Sequence, residues 1–363
     1  MSQLSQAALL DVLASITVPY THQSAVALEA VNRVEVKGDQ AKVEIVTGFA
    51  LGPAENEYRQ ALLQAFSQAF PSAELTLDMG WYVSPNPVPN GQSQVANVKN
   101  IIAIASGKGG VGKSTTTVNL ALALAKEGAR VGVLDADIYG PSQPKMLGVE
   151  NKRPDIHGGK MMVPVEAYGV QSISMGYMVT EKTPMIWRGP MVSGALQQLL
   201  EQTLWQDLDY LLIDMPPGTG DIQLTLSQKV PVAGSVIVTT PQDIALLDAK
   251  KGIEMFRKVN IPVLGVVENM ATHVCSKCQH EEHIFGEGGG QRIADEYDAD
   301  LLGALPLELS IRELADSGKP SVVAEPTSDI AKKYREIAAR MAAQLWLKQF
   351  SAPAMPEIEI SDD

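Results

Sequence analysis

Apolar residues run without interruption through Ile101-Ile102-Ala103-Ile104-Ala105 and recur in Val131 to Leu134 and Tyr210 to Ile213. Runs of this length, bounded by glycine and charged residues, predict strands buried on both faces. The same pattern predicts strands at Ser235 to Thr240, Val263 to Asn269 and Leu301 to Leu305. Between them the apolar positions switch to helical spacing at Thr115 to Glu127, closed by Gly128, at Ile244 to Lys258 and at Gly288 to Tyr297. Strands alternating with helices predict an α/β fold built on a doubly wound, mostly parallel sheet.

A smaller α+β unit precedes this one. Leu4 to Ile16 has helical spacing, and Arg33 to Val36 and Lys42 to Val46 alternate as strands around Lys37-Gly38-Asp39. Glu55 to Phe70 is a second amphipathic helix, followed by a strand at Glu74 to Leu77. The expected organisation is a small module over residues 1–83, a Pro- and Asn-rich linker at 84–97, the large domain at 98–350 and an acidic, disordered tail at 351–363. Ile330 to Phe350 is expected to be an amphipathic helix covering the sheet.

Chemistry enters at Gly107-Lys108-Gly109-Gly110-Val111-Gly112-Lys113-Ser114, which has the form G-x-x-x-x-G-K-S/T between a strand and a helix. Such a loop aims backbone N–H groups at nucleotide phosphates. Lys113 supplies charge at the β and γ oxygens, Ser114 offers a hydroxyl to Mg²⁺, and the dipole of the helix beginning near Thr115 adds to anion binding. Asp135 and Asp137 end the next strand, and Asp214 ends the one at 209–214. Carboxylates there hold Mg²⁺ through its waters or orient an attacking water; the alternative is that Asp135 or Asp137 merely caps the following turn.

Cys275 and Cys278 are the only cysteines, in a polar loop with Lys277, Gln279 and His280. The loop does not open a helix as a redox pair would. Two readings stay open. Cys275, Cys278, His280 and His283 would supply four ligands to one zinc ion, or two copies of the chain would supply four thiolates to an iron–sulfur cluster.

Lys108, directly after the first glycine, gives the loop the form K-G-G-x-G-K-S/T. This resembles the MinD/ParA-type ATPases, and the resemblance implies a homodimer in which the early lysine reaches the partner's phosphates. Longer stretches, Leu134 to Ser142, Trp187-Arg188-Gly189-Pro190, Asp214 to Asp221, Val267-Glu268-Asn269-Met270, Phe285 to Gly290 and Asp316 to Pro320, resemble the Mrp/ApbC family across about residues 98–345. That resemblance implies an ATP-dependent carrier holding a labile 4Fe-4S cluster between protomers on Cys275 and Cys278, with Asn269 at the adenine. The small module resembles the SufT-like domain. The cysteine of that pattern is absent from Thr47-Gly48-Phe49-Ala50-Leu51-Gly52-Pro53, so target recognition or structural support is expected of it.

Composition narrows the partners. Lys and Arg number 29 against 42 Asp and Glu, and a net charge of −13 speaks against sequence-independent binding to nucleic acid. Met1 to Gln6 has no basic signal-peptide start, and no apolar run reaches membrane-spanning length, so a cytoplasmic protein off the membrane is expected. The expected function is ATP-driven transfer of a cluster to apoproteins. The alternatives are a ParA/MinD-type positioning ATPase and a zinc-stabilised regulatory ATPase.

Overall fold

The computed structural model describes residues 4–87, 92–178, 189–275, 277–278 and 280–351. Its first unit comprises α1 (Gln6–Ala14), β1 (Val31–Lys37), β2 (Gln40–Thr47), α2 (Glu55–Ala69) and β3 (Glu74–Trp81). Ser5 caps α1, its hydroxyl accepting the Ala8 N–H at 3.2 Å. β1 and β2 form an antiparallel hairpin, and α2 carries the chain over so that β3 lies parallel to β2. Tyr58, Leu62 and Phe66 recur every fourth residue on α2 and are buried with Val43 and Ile45 of β2.

The second unit opens with β4 (Val98–Ala105), α3 (Lys113–Lys126), β5 (Val131–Asp135), α4 (Gln143–Met146), β6 (Ile156–His157), β7 (Met161–Met162), β8 (Val165–Ala167) and β9 (Val170–Ser174). It continues through α5 (Gly189–Glu201), β10 (Leu208–Asp214), α6 (Asp221–Lys229), β11 (Gly234–Thr239), α7 (Asp243–Lys258) and β12 (Val263–Glu268). β13 (His273–Val274), β14 (Glu281–Glu282), α8 (Gly289–Glu296), β15 (Leu301–Ala304), α9 (Leu309–Asp316), α10 (Ser321–Ala324) and α11 (Asp329–Ser351) complete it.

Eight strands form one sheet in the order β15-β12-β11-β4-β10-β5-β9-β8, parallel throughout except for β8 at the edge. α3 packs with α10 and α11, while α5 to α8 pack in succession as a second layer. β5, β10 and β11 are buried along their whole length, as strands covered on both faces must be. The parallel register sets Asp214 beside both Asp135 and Ile104, so two carboxylates meet where the phosphate loop begins.

The expected strands and helices are present, and the differences have local causes. α3 starts at Lys113 rather than Thr115 because Gly112, at φ 83°, is its N-cap. β6 to β9 and α4 escaped the sequence pattern because elements of two to five residues complete too little of a period to be read. Residues 84–97, expected as a linker, are tied down where the structure describes them. The backbone and side-chain N–H groups of Asn86 both donate to Asn100 Oδ1 at 2.9 Å, and Asn100 Nδ2 donates to Ser84 O at 2.9 Å. Trp187 and Arg188 and the acidic tail beyond Ser351 lie outside the described residues.

α11 covers the sheet as expected and also joins the two units. Trp346 packs at a tilt against Phe49 of the first unit with ring centroids 5.8 Å apart, while within the second unit Arg335 of α11 pairs with Glu127 at the end of α3. Gly48 is required at this seam, since a Cβ there would lie 2.1 Å from Trp346 Cδ1. Gly48→Val is therefore expected to cost about 1–3 kcal/mol by overpacking and to expose the seam to protease. Chemical denaturation and limited proteolysis read both, and wild-type behaviour in each would show that the seam is not tightly packed.

Candidate nucleotide site and thiol pair

β4 delivers the glycine-rich loop to the carboxyl edge of the sheet. Ser106 Oγ donates to Lys108 O at 2.9 Å, and Gly218 N donates to Ser106 O at 3.0 Å, so the 215–220 turn braces the loop. Gly107 lies against the α7 backbone at Asp248, Gly109 and Gly110 are exposed, and Val111 is buried. Gly112 opens α3 in the left-handed conformation, with Asn269 Nδ2 where a Cβ would stand.

Lys113 sits 6% exposed and pairs with Asp214, which is fully buried. Lys113 Nζ also lies 3.3 Å from Ser114 Oγ. Thr117 Oγ1 reaches Asp214 Oδ1 at 3.3 Å, and Gln143 Nε2 donates both to Asp214 Oδ2 at 2.9 Å and to Ser114 O at 3.1 Å. Thr115 contributes its carbonyl, accepting from Asn119 Nδ2 at 2.9 Å. Ammonium, two hydroxyls and a carboxylate are thus assembled around one point. Asp214 Oδ2 and Ser114 Oγ, with few partners of their own, fit the water shell of Mg²⁺.

Asp135 is differently engaged. Its Oδ2 accepts from Ser142 N at 3.0 Å, Gln143 N at 3.1 Å and Ser174 Oγ at 3.1 Å, and its Oδ1 accepts from Asp137 N at 3.2 Å. Of the two alternatives for Asp135, the structure realises the cap: the carboxylate folds the 136–142 turn and leaves little acceptor capacity for a metal. Burial, and then the neighbouring Asp214 carboxylate, raise it above the usual carboxylate range. Asp137 follows on the same turn, half-buried, and accepts from Gly140 N at 3.3 Å. Burial raises it too, opposed by the charge of Lys113.

In the single chain Lys108 is held near Gln242, at 3.4 Å from its Oε1. Asn269 follows the last residue of β12, is 8% exposed, and donates through Nδ2 to Val111 O at 2.8 Å. Sequence reasoning missed Gln143 and Gln242, since neither stands in a motif and each meets its partner only through tertiary folding.

The thiol pair lies six residues beyond Asn269, on the β13–β14 hairpin, where Cys275 N donates to His280 O at 2.9 Å. Cys275 is half-buried and Cys278 exposed. Backbone N–H groups of Cys278 and then Lys277 point at the Cys275 sulfur and lower its pKa. The two histidines do not join them. His283 Nδ1 lies 3.1 Å from Ala271 O, and His280 Nε2 faces Glu282 at 3.6 Å. Among the described residues no group of three or more His, Cys, Asp and Glu comes together, so the four-ligand zinc arrangement is not formed within one chain.

A family model described as the ParA-group NUBPL iron-transfer P-loop NTPase matches residues 97–342. The chain belongs to this family. A protein of Pseudomonas fragi named an iron-sulfur cluster carrier protein is 69% identical over 245 residues, 67% of this chain and 85% of its own. One of the same name in Escherichia coli K12 is 51% identical over 343 residues, 92% of this chain and 90% of its own, so the likeness reaches into the small module. Mouse NUBPL, named an iron-sulfur cluster transfer protein, is 53% identical over 256 residues, 70% of this chain and 80% of its own. Among solved structures, a nucleotide-binding protein of Archaeoglobus fulgidus in complex with ADP superposes with a TM-score of 0.57 at 36% identity, covering 65% of this chain and 92% of its own. The Pyrococcus furiosus cell division ATPase MinD follows at 0.51 and 25%, covering 67% and 98%.

The buried Lys113–Asp214 pair makes the loop lysine part of the core as well as of the nucleotide site. Lys113→Ala is expected to abolish ATP binding and to lower the stability of the nucleotide-free chain by about 3 kcal/mol, because Asp214 is left charged and unpaired. Adding Asp214→Asn is expected to restore most of the stability and none of the binding. Titration calorimetry and chemical denaturation separate the two effects, and undiminished ATP affinity in Lys113→Ala would overturn the assignment of the loop.

Proposed function

We propose that the protein is an ATP-dependent iron–sulfur cluster carrier: two copies of the chain hold a 4Fe-4S cluster as cargo on Cys275 and Cys278 of each and pass it to apoproteins. The observation that carries this reading is the isolated thiol pair. Each chain presents two thiolates and, among the described residues, no third ligand beside them, whereas a 4Fe-4S cluster takes four cysteines. The names of the relatives support the same reading. So do the exposed Ile244 and Leu247 on α7 near Lys108 and the exposed Ile284 beyond the hairpin, since apolar surface at the site suits a second copy.

In this reading ATP occupies the loop from Gly107 to Thr115, with Asn269 toward the adenine. Lys113 moves from Asp214 to the β and γ phosphates, which releases the Asp214 carboxylate. Ser114 and Asp214 would hold the hydrated Mg²⁺, which neutralises charge developing on the phosphates, and Asp135 supports the turn that carries Asp137. Asp137 orients the attacking water. Lys108 leaves Gln242 and reaches the partner's phosphates, so hydrolysis requires the dimer. The geometry of that dimer gates cluster uptake or release.

Two sets of substitutions test the parts separately. Lys108→Ala is expected to bind ATP and lose at least about 10³-fold in hydrolysis, and Asp137→Ala about 10²-fold; wild-type turnover in both would return them to turn residues. Cys275→Ala and Cys278→Ala are expected to retain ATP binding and to lose cluster transfer to an apo-ferredoxin after anaerobic reconstitution. Transfer at the wild-type rate by either variant would contradict the carrier reading.

A further inference from the structure

The first residue after β12 is bonded to the phosphate loop. Asn269 Nδ2 donates to Val111 O at 2.8 Å, and a Cβ on Gly112 would lie 2.1 Å from that same nitrogen and 4.0 Å from Met270 Cε. In a planar trans peptide the carbonyl and the following N–H point in opposite directions. Asn269, by holding the carbonyl of Val111, therefore aims the N–H of Gly112 away from itself. That N–H is one of the donors a phosphate loop uses. A phosphate that takes it polarises the peptide and strengthens the carbonyl as an acceptor, so occupancy of the loop tightens the Asn269 bond.

From Asn269 to Cys275 the chain offers no slack. Asn269 N donates to Thr239 O at 2.7 Å, Ala271 N to Leu305 O at 2.9 Å and Leu307 N to Thr272 O at 2.7 Å. His273 Nδ1 lies 3.0 Å from Leu307 O, and Cys275 N donates to His280 O. The exception is Met270, which lies at φ 57°, a left-handed conformation unusual for a side chain with neither glycine's freedom nor asparagine's local hydrogen bonding. A strained residue stands where the P-loop contact ends and the thiol-bearing segment begins.

We infer that Asn269 and Met270 form a latch that reports phosphate occupancy to the thiol pair: Asn269 reads the Val111 peptide, and the strained backbone at Met270 converts its tightening into a shift of the hairpin carrying Cys275 and Cys278. Asn269 is then a positioning residue for the phosphate loop and for the cargo site together. The inference rests on the carrier reading only for the use to which the response is put; the response itself requires no cluster.

The test uses the full-length, reduced, cluster-free protein without oxygen. It is run at concentrations where light scattering reads a single chain, so that a partner does not cover the thiols. Iodoacetamide alkylation of Cys275 and Cys278, the only two cysteines, is followed by peptide mass with and without saturating ADP and Mg²⁺. In wild type the nucleotide is expected to change the Cys275 rate by at least about fivefold. Met270→Gly, which relaxes the backbone, is expected to bind ADP with wild-type affinity and to lose most of that response. Met270→Asn, which tolerates the left-handed conformation, is expected to keep it. No response in wild type, or the same behaviour in both variants, would overturn the latch. The carrier reading fails by a different result, the absence of transferable iron and sulfide, which leaves the alkylation outcome unaffected.

Discussion

An ammonium and a carboxylate buried against each other, Lys113 and Asp214, hold the nucleotide site together. The pair joins the start of α3 to the end of β10, and Thr117 and Gln143 complete the bonding around Asp214. A buried charge survives only with a partner, so a site that must present a lysine to phosphate needs a counter-charge until the phosphate arrives. Asp214 supplies it. In the proposed reading, exchange of one anionic partner for another would also leave Asp214 free to attract the metal that accompanies the nucleotide.

The parallel sheet sets which loops surround this pair. Strands entering in the same direction deliver their loops to one edge, so the phosphate loop, the Asp135–Asp137 turn and the 215–220 turn share a small region. Gly218 bonds to the loop from one side and Asn269 from another. The thiols follow Asn269 on a segment held by hydrogen bonds at Ala271, Thr272 and His273. Meanwhile α11 and the docked 84–87 segment couple the small module to the sheet through Trp346 and Asn100.

What the sequence made legible follows from how the chemistry is encoded. Gly107 to Ser114 could be read directly because consecutive backbone groups and their nearest side chains do the binding. Cys275 and Cys278 could be read because soft thiols in a charged loop have few structural reasons to be there. Asp135 could only be narrowed to two tasks, since cap and metal-bound carboxylates look alike until Ser142, Gln143 and Ser174 are seen to converge on it. Gln143, Gln242 and Asn100 were illegible because tertiary folding alone chooses their partners. β6 to β9 and α4 were missed because short elements carry almost no periodicity, and the strain at Met270 is invisible in an apolar residue at a strand end.

In the proposed reading the cargo site exists only between two chains. Native mass spectrometry of wild-type protein reconstituted without oxygen tests it most directly, because mass reports stoichiometry and metal identity together. The expected species is two chains carrying the mass of one 4Fe-4S cluster, with single chains free of metal. A single chain carrying one zinc ion, or one whole cluster, would contradict it.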